Sequence, residues 1–119
     1  MKVRFLLDEN LPPKLKLAVQ RFNTDIDIIR VGEPEAPPLG TLDPELLNYL
    51  EVSQRLLVTD NRNSMGGHLQ DHWGEGGHIW GLVWLRPGGT IRTWSESLVL
   101  IWEITEAQEW LDKLDWIPY

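Results

Sequence analysis

The chain contains no cysteine. That absence excludes a disulfide framework, a thiolate metal site of the zinc-finger kind and a cysteine nucleophile, and it is compatible with a reducing cytosol. Long apolar runs are missing as well. The N-terminus offers only Lys2 and Arg4 around a short apolar stretch that runs directly into acids, too short for a signal peptide or a membrane span. The expectation is a cytoplasmic protein with no membrane partner. Positive charge is scarce: 11 Lys and Arg stand against 18 Asp and Glu, for a net charge of −7. This argues against binding nucleic acid through general phosphate attraction and leaves a metal-bridged nucleic-acid substrate open. Internal repeats and low-complexity segments are also lacking. With 119 residues, residues 1–119 are expected to form a single domain whose core needs no staples.

What the chain does have is an apolar stretch at residues 3–7 that ends in Asp8-Glu9-Asn10. A short apolar run bounded by polar turn formers reads as a strand buried on both faces, the behaviour of parallel sheets covered by helices. Residues 55–59 followed by Asp60-Asn61 repeat that grammar. Between them, Leu11-Pro12-Pro13 opens a helix, with Asn10 or Leu11 as its cap and Leu11, Leu15, Ala18, Val19 and Phe22 on its apolar face. Residues 25–31 read as a strand near a sheet edge, and 32–42, rich in proline and glycine, as a loop. Asp43-Pro44-Glu45 starts a second helix with Asp43 as cap. A short helix is expected around 68–73, a buried strand over 79–85 and a helix over 90–102. A further helix starts at Thr105 with Gln108, and 114–119 add a short edge strand. Strands alternating with helices give an α/β domain with right-handed crossovers.

All seven tryptophans lie between Trp73 and Trp116. Aromatics that bury large areas favour cores and interfaces, so this half of the chain is expected to pack internally and to carry any homodimer contact.

In open parallel sheets, ligands bind beyond the carboxyl ends of the strands where strand order reverses. If the strands at 3–7 and 55–59 are neighbours, Asp8, Glu9, Asp43 and Asp60 converge on one crevice. Their mutual repulsion then raises pKa values unless a cation neutralises it. Oxygen donors of this kind suit Mg²⁺ or Mn²⁺, and the chemistry that follows is metal-assisted hydrolysis of a phosphodiester. Taken singly, each acid also reads as a turn former or a helix cap.

The stretch Phe5-Leu6-Leu7-Asp8-Glu9-Asn10-Leu11-Pro12, then Asp43-Pro44-Glu45-Leu46-Leu47, then Leu56-Leu57-Val58-Thr59-Asp60-Asn61-Arg62, resembles the short PIN-like domains of bacteria and archaea over residues 1–87. The resemblance implies a PIN-like three-layer α/β sandwich with a mainly parallel four-stranded sheet, order 2-1-3-4. It also implies an acidic Mg²⁺ or Mn²⁺ site and endoribonuclease activity, frequently as the toxin of a toxin–antitoxin pair with a small antitoxin protein as partner. In those terms Asp8 and Asp60 are the catalytic candidates, Asp8, Glu9, Asp43, Asp60 and Asn61 the metal ligands, and Arg62 and Arg86 the contacts to RNA. One departure stands out. The family pattern is Thr-x-Asp, whereas Asp60 follows Thr59 directly and Asn61 occupies the expected acidic place. The alternative is therefore a catalytically degenerate, binding-only member.

A second constellation, His68, Asp71 and His72, shares one helix face and is weighed as a transition-metal site against a solvated or self-bonded face; His78 carries no signal of its own. A receiver-like phosphoacceptor domain also pairs acids after strand one with an acid after strand three. Its chemistry prefers lysine, however, where this chain has Arg86 before Pro87.

Overall fold

Residues 5–7 set the architecture. In the computed structural model, which describes residues 1–61 and 64–119, β1 (Phe5–Leu7) has all three side chains fully buried. Alternation along a strand sends neighbours to opposite faces. Phe5 and Leu7 join a core with Leu15, Val19, Leu98 and Ile101, while Leu6 joins another with Leu46, Leu50 and Leu69. A strand dry on both sides belongs in the middle of a covered parallel sheet.

The remaining elements follow as α1 (Pro13–Phe22), β2 (Ile28–Arg30), α2 (Asp43–Ser53), β3 (Leu56–Thr59), α3 (Met65–Gly74), β4 (Leu82–Leu85), α4 (Ile91–Ile104), a 3₁₀ turn (Ala107–Trp110) and β5 (Leu114–Ile117). Every strand pairing is parallel, and the sheet runs β2-β1-β3-β4-β5. The expected order 2-1-3-4 holds for the first four strands. The count does not, because the closing segment pairs in full register with β4 and makes the sheet five-stranded.

The hand of one connection also departs from expectation. Helices α2 and α3 cover one face and α1 and α4 the other. The steps β2 to β3 and β3 to β4 run opposite to β1 to β2 and have their helices on the opposite face, so these three crossovers share one hand, which the general preference makes right-handed. The step β4 to β5 continues in the same direction as β3 to β4, yet α4 lies on the α1 face, which gives it the other hand. Burial supplies the reason. With α4 beside α2 and α3, Val83, Leu85 and Ile117 would face water on the α1 side; with α4 where it is, all three are buried.

Several boundaries shift by a residue or more. Pro12, not Asn10 or Leu11, caps α1, and Leu42 caps α2, so that Asp43 is the first helical residue. Residues 79–81 drop out of β4 because Gly81 adopts φ +107°. The expected start at Thr105 and Gln108 lies one residue later, as the Glu106–Glu109 capping box of a 3₁₀ turn. All seven tryptophans are buried or half-buried, and two spend their N–H inside the chain: Trp73 donates to Asp112 and Trp110 to Thr105. Among the described residues no helix is long and apolar enough to cross a membrane.

Two glycines with positive φ separate backbone strain from packing. A Cβ at Gly81 would stand 2.9 Å from Trp110 Cβ and 3.1 Å from Leu56 Cδ1, whereas at Gly88 (φ +82°) it would meet nothing within 4 Å. Gly88→Ala is expected to lose about 1–2 kcal/mol from strain alone. Gly81→Ala should lose about 1–3 kcal/mol more, because Trp110 Cβ cannot swing aside. Urea denaturation of both variants checks the difference.

Candidate functional site

The sheet order reverses between β1 and β3, and there the carboxyl ends of the strands present Asp8. Leu7 pairs with Val58, and the Asp8 N–H donates to the Val58 carbonyl at 3.0 Å, which sets Asp8 beside Thr59. The fully buried Thr59 hydroxyl donates to Asp8 Oδ2 at 2.7 Å, and the Glu9 N–H donates to Asp8 Oδ1 at 2.8 Å. Asp8 is 8% exposed. Burial pushes its carboxyl above the ordinary range; the bonds from Thr59 and Glu9 pull the other way, the charges of Asp43 and Glu9 add to the rise, and the net shift is upward. Such a group weakens the fold at neutral pH, and the penalty fades as pH falls through the raised pKa.

Beside Asp8, which is buried behind it and not part of its lining, opens a cleft of about 490 Å³ whose lining includes Glu9, Asp43, Asn61, Ser64 and His68. The starts of α2 and α3 form its walls. Asp43 Oδ2 accepts from the Ser64 hydroxyl at 3.0 Å and lies 3.9 Å from His68 Nε2. Glu9 Oε1 accepts from the Gly40 N–H at 3.1 Å. The Asn61 N–H donates to Thr59 Oγ1 at 3.0 Å, so one hydroxyl links the first acid to the turn after β3.

The expected site residues thus divide. Asp8, Glu9, Asp43 and Asn61 gather at this end of the sheet. Asp60 is exposed and does not line the cleft, because successive side chains leaving β3 point to opposite sides. Arg86 sits at the end of β4 but turns toward β5, donating from Nε to the Pro118 carbonyl at 3.2 Å with its guanidinium 5.8 Å from the Trp116 ring centroid. Arg62 lies outside the described residues. Thr59, Ser64 and His68 enter the site without having been expected there. Thr59 was legible as a hydroxyl at a strand end in register with Asp8; the other two depend on where α3 docks.

The helical triad His68, Asp71 and His72 lines one small pocket of about 150 Å³ together with Glu75, but its two histidines take different partners. His68 belongs to the cleft, whereas His72 is buried with Nε2 at 3.1 Å from both Glu51 Oε1 and the His78 carbonyl; with two acceptors opposite, Nε2 carries the proton. Among the described residues, no three His, Asp or Glu side chains are arranged to hold a metal ion. A second histidine completes a latch at the amino end of the sheet: His78 Nδ1 lies 2.6 Å from Asp112 Oδ2, while Asp112 Oδ1 accepts from Trp73 Nε1 and the Ile79 N–H. The bond from His78 N–H foremost, against burial, holds Glu51 below the ordinary carboxyl range. Burial would raise Asp112, but the donors from Ile79, His78 and Trp73 outweigh it and lower its pKa.

No family model, no curated protein and no solved structure matches the chain.

The hydrogen bond to Asp112, and then its charge, raise the pKa of His78 above 6.5. The latch's contribution to stability is therefore complete below that value and is lost as pH climbs through the raised folded pKa. Urea midpoints measured from about pH 6 to about pH 9 should fall for the wild type, and His78→Gln should flatten that fall.

Proposed function

We propose that the protein is a PIN-like phosphodiesterase that cleaves single-stranded RNA with Mg²⁺ or Mn²⁺. The observation that carries the reading is Asp8, buried at the point of strand reversal with its charge opposed by burial and by two neighbouring acids. The donor set fits the ion. Asp8, Glu9, Asp43 and Asn61 offer hard oxygens, which suit Mg²⁺ and Mn²⁺ rather than softer metals. When bound, the ion supplies an activated water and charge stabilisation at phosphorus. The chain's own contribution is orientation. Thr59 and the Glu9 N–H hold both Asp8 oxygens, Ser64 fixes Asp43, and the open cleft admits a strand alongside them. With a net charge of −7, RNA is held through the ion and a few cleft donors, so affinity should depend only weakly on salt.

Melting curves in EDTA, Mg²⁺ and Mn²⁺ test this directly. Either ion should stabilise the wild type, by about 2.7 kcal/mol at a hundredfold excess over its dissociation constant. Asp8→Asn should lose that gain and all metal-dependent cleavage of a single-stranded RNA, while being at least as stable as the wild type in EDTA, since the raised carboxyl is neutralised. A wild type indifferent to both metals sinks the enzyme.

A second reading, a degenerate binding module, is favoured by one observation: an amide lines the cleft at position 61 while the adjacent acid Asp60 does not. Asn61→Asp distinguishes the two. An inactive wild type whose Asn61→Asp variant cleaves RNA is the degenerate member; an active wild type retires that reading. In the receiver-like alternative Arg86 would meet the phosphoryl group, and here it turns to β5 instead. A toxin role with a small antitoxin partner, and a homodimer through residues after Thr90, extend the nuclease reading. A short neighbouring reading frame and light scattering bear on them.

A further inference from the structure

A second concavity, unrelated to the acidic cleft, lies on the other face of the sheet. Between α1 and α4 runs an open groove of about 480 Å³ lined by Ala18, Arg21, Phe22, Ile91, Arg92 and Ser95. Its floor is apolar. Ser95 is buried and its hydroxyl is turned inward, donating to the Arg92 carbonyl at 2.9 Å, while Phe22 keeps 57% of its surface exposed, an unusual state for a large aromatic. Leu17, 56% exposed, continues the apolar surface one turn before Arg21.

The rim is basic on an acidic protein. Helix α1 carries Lys14, Lys16 and Arg21 and no acid, and Arg92 stands across the groove, in a chain of net charge −7. Lys16 is engaged by Glu33 at 2.9 Å. Arg92 pairs with Glu96, four residues on, with 86% of its side chain exposed; an exposed pair of that kind is weak and easily exchanged.

We propose that this groove docks an acidic amphipathic helix of a partner polypeptide, its apolar stripe seated against Phe22, Ala18 and Ile91 and its carboxylates meeting Arg21 and Arg92. A helix suits a groove between two helices, where its side-chain ridges can interdigitate with theirs. A small anionic amphiphile fits less well, since an open groove leaves much of it in water. A second copy offering α2 is disfavoured by symmetry. Two acidic helices of the chain have exposed apolar residues: α4, with Glu96, Glu103, Leu100 and Ile104, already forms one wall of the groove, and α2 has Asp43, Glu45, Glu51 and Val52. Seating it in the groove of another copy is a head-to-tail contact that does not close on itself. The inference stands apart from the nuclease reading, whose cleft is built from the starts of α2 and α3.

The test uses a fluorescein-labelled designed helix with leucine on one face and glutamate along both flanks, and a twin in which lysine replaces every glutamate. Anisotropy should report binding of the glutamate peptide alone. The double reversal Arg21→Glu, Arg92→Glu should weaken it by about tenfold or more and transfer binding to the lysine twin. Phe22→Ser should weaken binding without altering charge. All three positions are at the surface, and Arg21→Gln serves if the reversal fails to fold by circular dichroism. Equal affinity for the two peptides, or an unchanged affinity after the reversal, overturns the proposal. So does a concentration-dependent dimer that Phe22→Ser abolishes, which would assign the groove to a second copy.

Discussion

The register of β1 against β3 is the constraint on which the site depends. Leu7 faces Val58 across the ladder, and the next N–H along, that of Asp8, still bonds to the Val58 carbonyl. A slip of one residue would turn Phe5 and Leu7 out of their core and place Leu6 in it. Burial of three side chains therefore fixes Asp8 opposite Thr59 more firmly than any polar contact could. Once there, the carboxylate takes one donor on each oxygen and leaves bulk water, with no cation set against its charge among those donors.

The two ends of the sheet handle charge in opposite ways. At the amino end, Glu51 and Asp112 each face histidine and backbone or indole N–H groups, and both carboxyls sit below their ordinary pKa. At the carboxyl end, Asp8 has neutral donors and acidic neighbours, and its pKa rises. Satisfied networks rigidify a fold. An acid left short of countercharge beside a cleft is where a cation or a polar ligand gains most.

Helix placement divides the surface to match. Two helices on each face close both cores, and the unusual hand of the β4–α4–β5 connection follows from that need. The same choice puts α4 beside α1, and so makes a groove with a basic rim on an acidic chain.

The elements, the parallel sheet and the place of Asp8 at a strand end were legible in the sequence, because each rests on local information: apolar runs of strand length, proline at helix starts, and acids directly after strands; the order of the first four strands came with the PIN-like resemblance. The PIN-like resemblance likewise rests on short local motifs. Tertiary structure decided what depends on partners distant in the chain. The fifth strand gains its place from pairing with β4, which 114–117 cannot announce alone. His68 and His72 share a helix face by spacing and one small pocket in the fold, yet α2 offers Asp43 to one and Glu51 to the other. His78 had no local signal because Asp112 stands 34 residues away. Asp60 and Asn61 are adjacent acid and amide in sequence, and only the direction in which the chain leaves β3 sends the amide to the cleft and the acid to water.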